Sequence, residues 1–102
     1  MIVDKQREGR TREKRTLLTP TEDSMIRDHL IEVGRILGFR VNYSELCRAA
    51  LTLVLEHEEK FFEVLRRSGG ALKKPHTADL QASFEFEERI AQFLGKAIRR
   101  RR

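Results

Sequence analysis

The sequence predicts a mostly α fold: one short N-terminal strand, two helices joined at a glycine, and a third helix at the C-terminal end. Three observations carry this. Lys14-Arg15-Thr16-Leu17-Leu18-Thr19 is a short strand candidate of which only one face can be buried, and Pro20 follows it. Ile26, Leu30, Val33 and Leu37 then recur at helical spacing and stop at Gly38. Asn42-Tyr43-Ser44-Glu45 opens a second apolar run with the residues of a capping box. A lone strand leaves its backbone donors and acceptors without partners, and an identical chain can supply them. The expected unit is therefore a homodimer, and a basic two-stranded ribbon shared by two subunits fits the major groove of DNA.

The elements follow in order. Residues 1–13 are polar and charged, contain Gly9 and show no apolar period, so they read as a flexible basic arm. A domain over 14–67 comes next. In its strand, one parity places Thr16 and Leu18 inward and Arg15, Leu17 and Thr19 outward; the other places Lys14, Thr16 and Leu18 outward. A slip of one residue exchanges the two faces.

The first helix starts at Thr19-Pro20-Thr21-Glu22. Thr19 is suited to cap it, Pro20 to its first turn and Glu22 to the reciprocal bond, with Thr21 as a competing cap. Ile31 and Ile36 widen its stripe. Gly34 lies inside it, at a cost of about 1 kcal/mol against alanine, which points to close packing. Gly38 suits the C-terminal stop.

The second helix has Asn42 as its cap, Glu45 at the third position, and Val41 and Leu46 placed for a hydrophobic staple. Cys47 to Leu55 is apolar almost all round, as expected of a helix buried on several faces at the centre of an intertwined dimer. Phe61, Phe62, Val64 and Leu65 extend that surface to a stop at Ser68-Gly69-Gly70. Residues 68–76 read as a linker and 77–102 as an amphipathic helix with a basic tail, Arg99 to Arg102. Phe86, Ile90, Phe93 and Ala97 form its stripe, broadened by Leu94 and Ile98. That stripe either folds back on the core or takes a protein partner through Phe86, Ile90 and Phe93.

Composition sets the outer limits. The 102 residues suffice for one domain and an appendage, and 39% hydrophobic content supports only a modest core. Charged residues make up 36%, the net charge is +5 and the isoelectric point is near 9.9, which favours an anionic partner. The single cysteine, Cys47, forms no intrachain disulfide and suits a reducing cytoplasm. The first residues lack a signal-peptide core, and no apolar run approaches the ~20 residues that span a bilayer, so a cytoplasmic protein without membrane attachment is expected.

Residues 14 to about 56 resemble the ribbon-helix-helix domain of Arc/MetJ-type DNA-binding proteins, of the kind found in plasmid and mobile-element regulators. The resemblance lies in the pattern and spacing of strand, helix, glycine and capped helix, and does not cover the C-terminal third of the chain. The family's leucine before the Thr-Pro helix start lies inside, which favours the parity with Leu18 inward. Outward side chains of the ribbon read bases in this family. Arg15 is then the leading base reader, since arginine donates two parallel hydrogen bonds to guanine. Thr16 or Leu17, according to the parity, would contribute next, through a hydroxyl or a thymine methyl. Arg12 and Lys14 suit phosphate contacts, as do Arg40, Asn42, Tyr43 and Ser44 at the start of the second helix, where free amide groups and the helix dipole attract an anion. The connection from Gly38 to Asn42 is longer than the family's usual one. Asn42 and Ser44 serve as helix caps in either case, and Arg15 is equally suited to a phosphate.

No catalytic constellation is evident. His29, His57 and His76 are dispersed, and no Cys/His set has zinc spacing, so neither metal nor cofactor nor enzyme activity is expected. His57 with Glu58 and Glu59 is more simply a packing histidine beside a charged face. The resemblance implies a homodimeric repressor or autoregulator on double-stranded DNA; whether it acts there as a dimer or as a higher oligomer is left open, since dimers of this family often bind in adjacent pairs. The alternatives are an antitoxin or plasmid partition or transfer accessory protein with a C-terminal partner-binding helix, and, from another class, a helical oligomerisation module without a DNA role.

Overall fold

A computed structural model describes residues 9–99, and within them the chain is helical. Four α-helices follow one another: α1 (Pro20–Leu37), α2 (Tyr43–Glu56), α3 (Glu58–Ser68) and α4 (Leu80–Arg99). A single 3-10 turn, Gly69–Ala71, follows α3. No helix among the described residues is long and apolar enough to cross a membrane. The chain divides into two compact units, the first ending at Thr52 and the second beginning at Leu53.

The expected N-terminal strand is absent. Residues 9–19 have no regular structure, and no strand occurs among the described residues, so the ribbon-helix-helix class is corrected to an all-helical one. The physical reason is that a strand is defined by its ladder. No second segment within the described chain pairs with Lys14 to Thr19, and six residues hold no extended geometry by propensity alone. The mostly α character stands. Residues 1–8 of the arm and the tail arginines 100–102 lie outside the described residues.

In the first unit, local signals set the boundaries of α1. Thr19 N–H donates to Glu22 Oε1 at 2.9 Å, and Glu22 N–H donates to Thr19 Oγ1 at 3.1 Å, which completes the capping box. Pro20 occupies the first turn, where its missing N–H costs nothing. Gly38 ends the helix in the left-handed region at φ 84°, with its N–H on the Gly34 carbonyl at 2.8 Å. A Cβ on Gly34 would stand 3.2 Å from the Phe39 carbonyl oxygen, so the glycine makes room for the connection folding back against α1. Asn42 then opens α2 with a second complete box: Asn42 N–H to Glu45 Oε1 and Glu45 N–H to Asn42 Oδ1, both at 2.9 Å.

These helices form without a core. Neither α1 nor α2 contains a buried residue. Ile26, Leu30 and Val33 on α1 and Leu46 and Cys47 on α2 are half-buried, while Met25, Ile31, Ile36, Phe39 and Leu51 are exposed. A single chain does not bury the helix following Asn42 on several faces; the expected burial was that of a dimer.

That helix also proves to be two. It breaks at His57, whose backbone leaves helical geometry at φ −112° and ψ 21° and caps α3. The His57 Nδ1 lies 3.0 Å from the Leu53 carbonyl oxygen, a bond that places the proton on Nδ1. The ring thus serves a carbonyl at the end of α2 that the break would otherwise leave unpaired.

The second unit has a true, if small, core. Val64 of α3 and Phe93 and Ala97 of α4 are buried, with Phe61, Leu65 and Leu72 packed against them. The stripe read from the sequence, Phe86, Ile90, Phe93 and Ala97, is the face α4 turns inward: the last two are buried and the first two half-buried. The linker 68–76 is partly structured, because Leu72 packs on that core and donates its N–H to the Gly69 carbonyl at 3.0 Å. Asp79 caps α4, accepting from Ala82 N–H at 3.0 Å.

Candidate nucleic-acid interface

The cationic segment lies immediately before α1. Arg10, Arg12, Lys14 and Arg15 fall within six residues and are all exposed. Arg15 Nε stands 4.0 Å from Glu13 Oε2, with both side chains open to solvent, a contact worth little and readily exchanged for another anion. Thr16 is exposed and Leu17 is 96% exposed, while Leu18 and Thr19 are half-buried. All four cations, together with Thr16 and Leu17, thus occupy one uninterrupted exposed stretch.

The second group lies at the start of α2. Asn42 Oδ1 is engaged by the Glu45 N–H, so Asn42 acts first as a cap. The N–H groups of Tyr43 and Ser44 sit in the first turn of α2 and have no intrahelical acceptor, as at any helix start. Arg40, Asn42, Tyr43 and Ser44 are all exposed. Glu45 in this turn opposes an incoming phosphate, although its carboxylate is held by the Asn42 N–H. The Tyr43 hydroxyl is held above the ordinary tyrosine range. Its hydrogen bond to the Cys47 side chain is the main cause, followed by the Cys47 charge and slight burial.

An open groove of about 760 Å³ lies between α1 and the connection to α2, lined by Leu30, Ile31, Phe39, Val41 and Tyr43 among others. Arg27 and Arg35 border it, paired respectively with Asp23 and, at 2.6 Å, Glu32. Sequence reasoning did not find this groove. Its signal was the pair Ile31 and Phe39, apolar residues placed beside rather than on the main stripe.

The partner-helix residues separate from one another. Phe93 is only 7% exposed and packs in the α3–α4 core of this chain. Phe86 and Ile90 remain half-exposed. Among the described residues no three His, Cys, Asp or Glu side chains gather closely enough to hold a metal ion. Comparison with protein-family models, curated proteins and solved structures returns no match to this chain.

Proposed function

We propose that this chain binds double-stranded DNA as a homodimer and acts as a repressor or autoregulator of transcription. One observation carries the reading: an exposed segment with four cations in six residues joins directly, through the Thr19 cap, to a helical unit that buries no side chain of its own. The cations supply phosphate contacts, with Arg15, Thr16 and Leu17 available to base edges in the groove. The coreless helices supply the reason for dimerisation. A unit this small gains too little from burial to stand alone, and a second copy covers its apolar faces at fixed stoichiometry. No ribbon is required of this reading, since extended basic arms and helix starts also contact DNA.

Selection from a random-sequence duplex pool, followed by anisotropy titration of the recovered DNA, tests it. The expected result is a consensus motif, affinity falling steeply with salt, and relaxed specificity in Arg15→Ala. Weak binding without a consensus, unchanged in Arg15→Ala, would reject the reading.

The exposed apolar faces of α1 and α2 equally favour a second reading, an oligomerisation module without DNA. The same titration separates the two. The antitoxin variant draws less support, because α4 is packed on α3 rather than left as a free partner-binding segment.

A further inference from the structure

The second unit carries a groove unrelated to the cationic segment. It encloses about 360 Å³ between the 71–75 connection and the first half of α4. Its half-buried floor includes Leu72, Pro75 and Phe86, and its exposed rim carries Lys73, Lys74 and Arg89. The one carboxylate in the lining, Glu85, accepts a hydrogen bond from Gln81 Nε2 at 3.0 Å.

We propose that this groove binds a short acidic peptide segment of a partner protein, with one apolar side chain seated against Phe86 and flanking carboxylates on Lys73, Lys74 and Arg89. Charge complementarity selects the occupant: three cations face one carboxylate that is already engaged. The apolar floor selects between anionic partners. A DNA phosphate ridge has no side chain to bury there, whereas a peptide anchor gains from leaving water.

The site is also organised in advance. The Lys74 ammonium stands 5.4 Å from the centre of the Phe86 ring, and the Arg89 guanidinium 5.1 Å from that of Phe93. One wall is held by Leu72 in the core and by the fixed φ of Pro75. These contacts lower the ordering cost of binding for Lys74 and Arg89.

The test is a displayed random-peptide selection on the full chain, with Lys73→Glu/Lys74→Glu as the counter-target. Both lysines are exposed, so circular dichroism should show that the variant keeps its helices. The expected result is enrichment of peptides with aspartate or glutamate around a single apolar residue. Their affinity should fall by about tenfold or more in the variant and when the apolar residue is changed to serine. Amide shift changes on titration should fall on residues 71–74 and 82–89. Failure to enrich acidic peptides, or indifference to the serine change, overturns the proposal. Protection of the same amides by duplex DNA, with displacement of the peptide, would reassign the groove to phosphate binding. The DNA reading is tested separately through Arg15→Ala, so either conclusion can fail alone.

Discussion

The Phe39 carbonyl oxygen stands 3.2 Å from the position a Cβ would take on Gly34, closer than such atoms normally approach. The connection bearing that carbonyl is anchored at one end by Gly38 and at the other by the Asn42 capping box, so it cannot move freely. Gly34→Ala should therefore lose more than the roughly 1 kcal/mol that alanine gains in a helix interior, and lower the unfolding midpoint. Gly95 in α4 is the control. An added Cβ there meets only the tip of the Arg99 side chain, at 3.3 Å, which can swing aside. Gly95→Ala should raise stability by about 1 kcal/mol. Equal effects in denaturant titrations would show that the Phe39 contact imposes nothing.

Asn42 and Ser44 separate capping from anion binding. Asn42→Ala removes a side chain that accepts from the Glu45 N–H at 2.9 Å and should cost about 1 kcal/mol of stability. Ser44 has no such bond and is exposed, so Ser44→Ala should leave stability within about 0.5 kcal/mol. If Ser44→Ala nevertheless weakens DNA binding, the start of α2 touches phosphate. If only Asn42→Ala does so, the effect follows from fraying of the helix.

Much of this architecture was legible because its signals are local. Thr19, Pro20, Glu22, Gly38, Asn42 and Glu45 each act within one turn, and each performs the expected part. The α4 stripe was legible too, since a 3.6-residue period is a property of one helix. The strand was misjudged because its partner is not written in the same stretch of sequence. His57 hid a helix break, as histidine carries no breaker signal and the apolar pattern runs past it into Phe61. The groove beside Phe86 was missed because it depends on where the 71–75 connection lies, which composition marked only as linker.

Tyr43 offers a clean spectroscopic readout, being the only tyrosine in a chain without tryptophan. Its hydroxyl is shifted upward chiefly by the Cys47 hydrogen bond and next by the Cys47 charge. A raised folded value favours the folded state below the ordinary tyrosine range, near 10, and that contribution is lost as pH rises through the shifted value. Ultraviolet titration should place the midpoint above the ordinary value in the native chain and nearer to it in Cys47→Ala. Identical midpoints would remove the Tyr43–Cys47 interaction.

Val64 and Ala97 test whether the second unit depends on its small core. Val64 is 2% exposed and Ala97 fully buried. Val64→Ala should cost roughly 2 kcal/mol, from lost transfer free energy and a residual cavity. Ala97→Leu should cost about 1–3 kcal/mol, since it adds three carbons at a fully buried position of the α3–α4 core. Both changes should be read by hydrogen exchange in α3 and α4. Free tolerance of the larger side chain would mean that the two helices are not closely packed.

Ile31 decides whether the first unit stands alone. The side chain is 58% exposed within one chain and lines the groove between α1 and the connection to α2. In a monomer, Ile31→Glu should be neutral within about 0.5 kcal/mol, because glutamate is the better helix former and the site is wet. If a second copy covers this groove, the same change puts a carboxylate into an apolar interface and should cost more than about 2 kcal/mol. Stability of the native chain should then rise with protein concentration, and that dependence should vanish in Ile31→Glu. Thermal melts over a concentration series, with sedimentation equilibrium on the same samples, give both readings. Concentration-independent melts and a neutral substitution would leave α1 and α2 as a monomeric unit and remove the homodimer from the DNA-binding proposal.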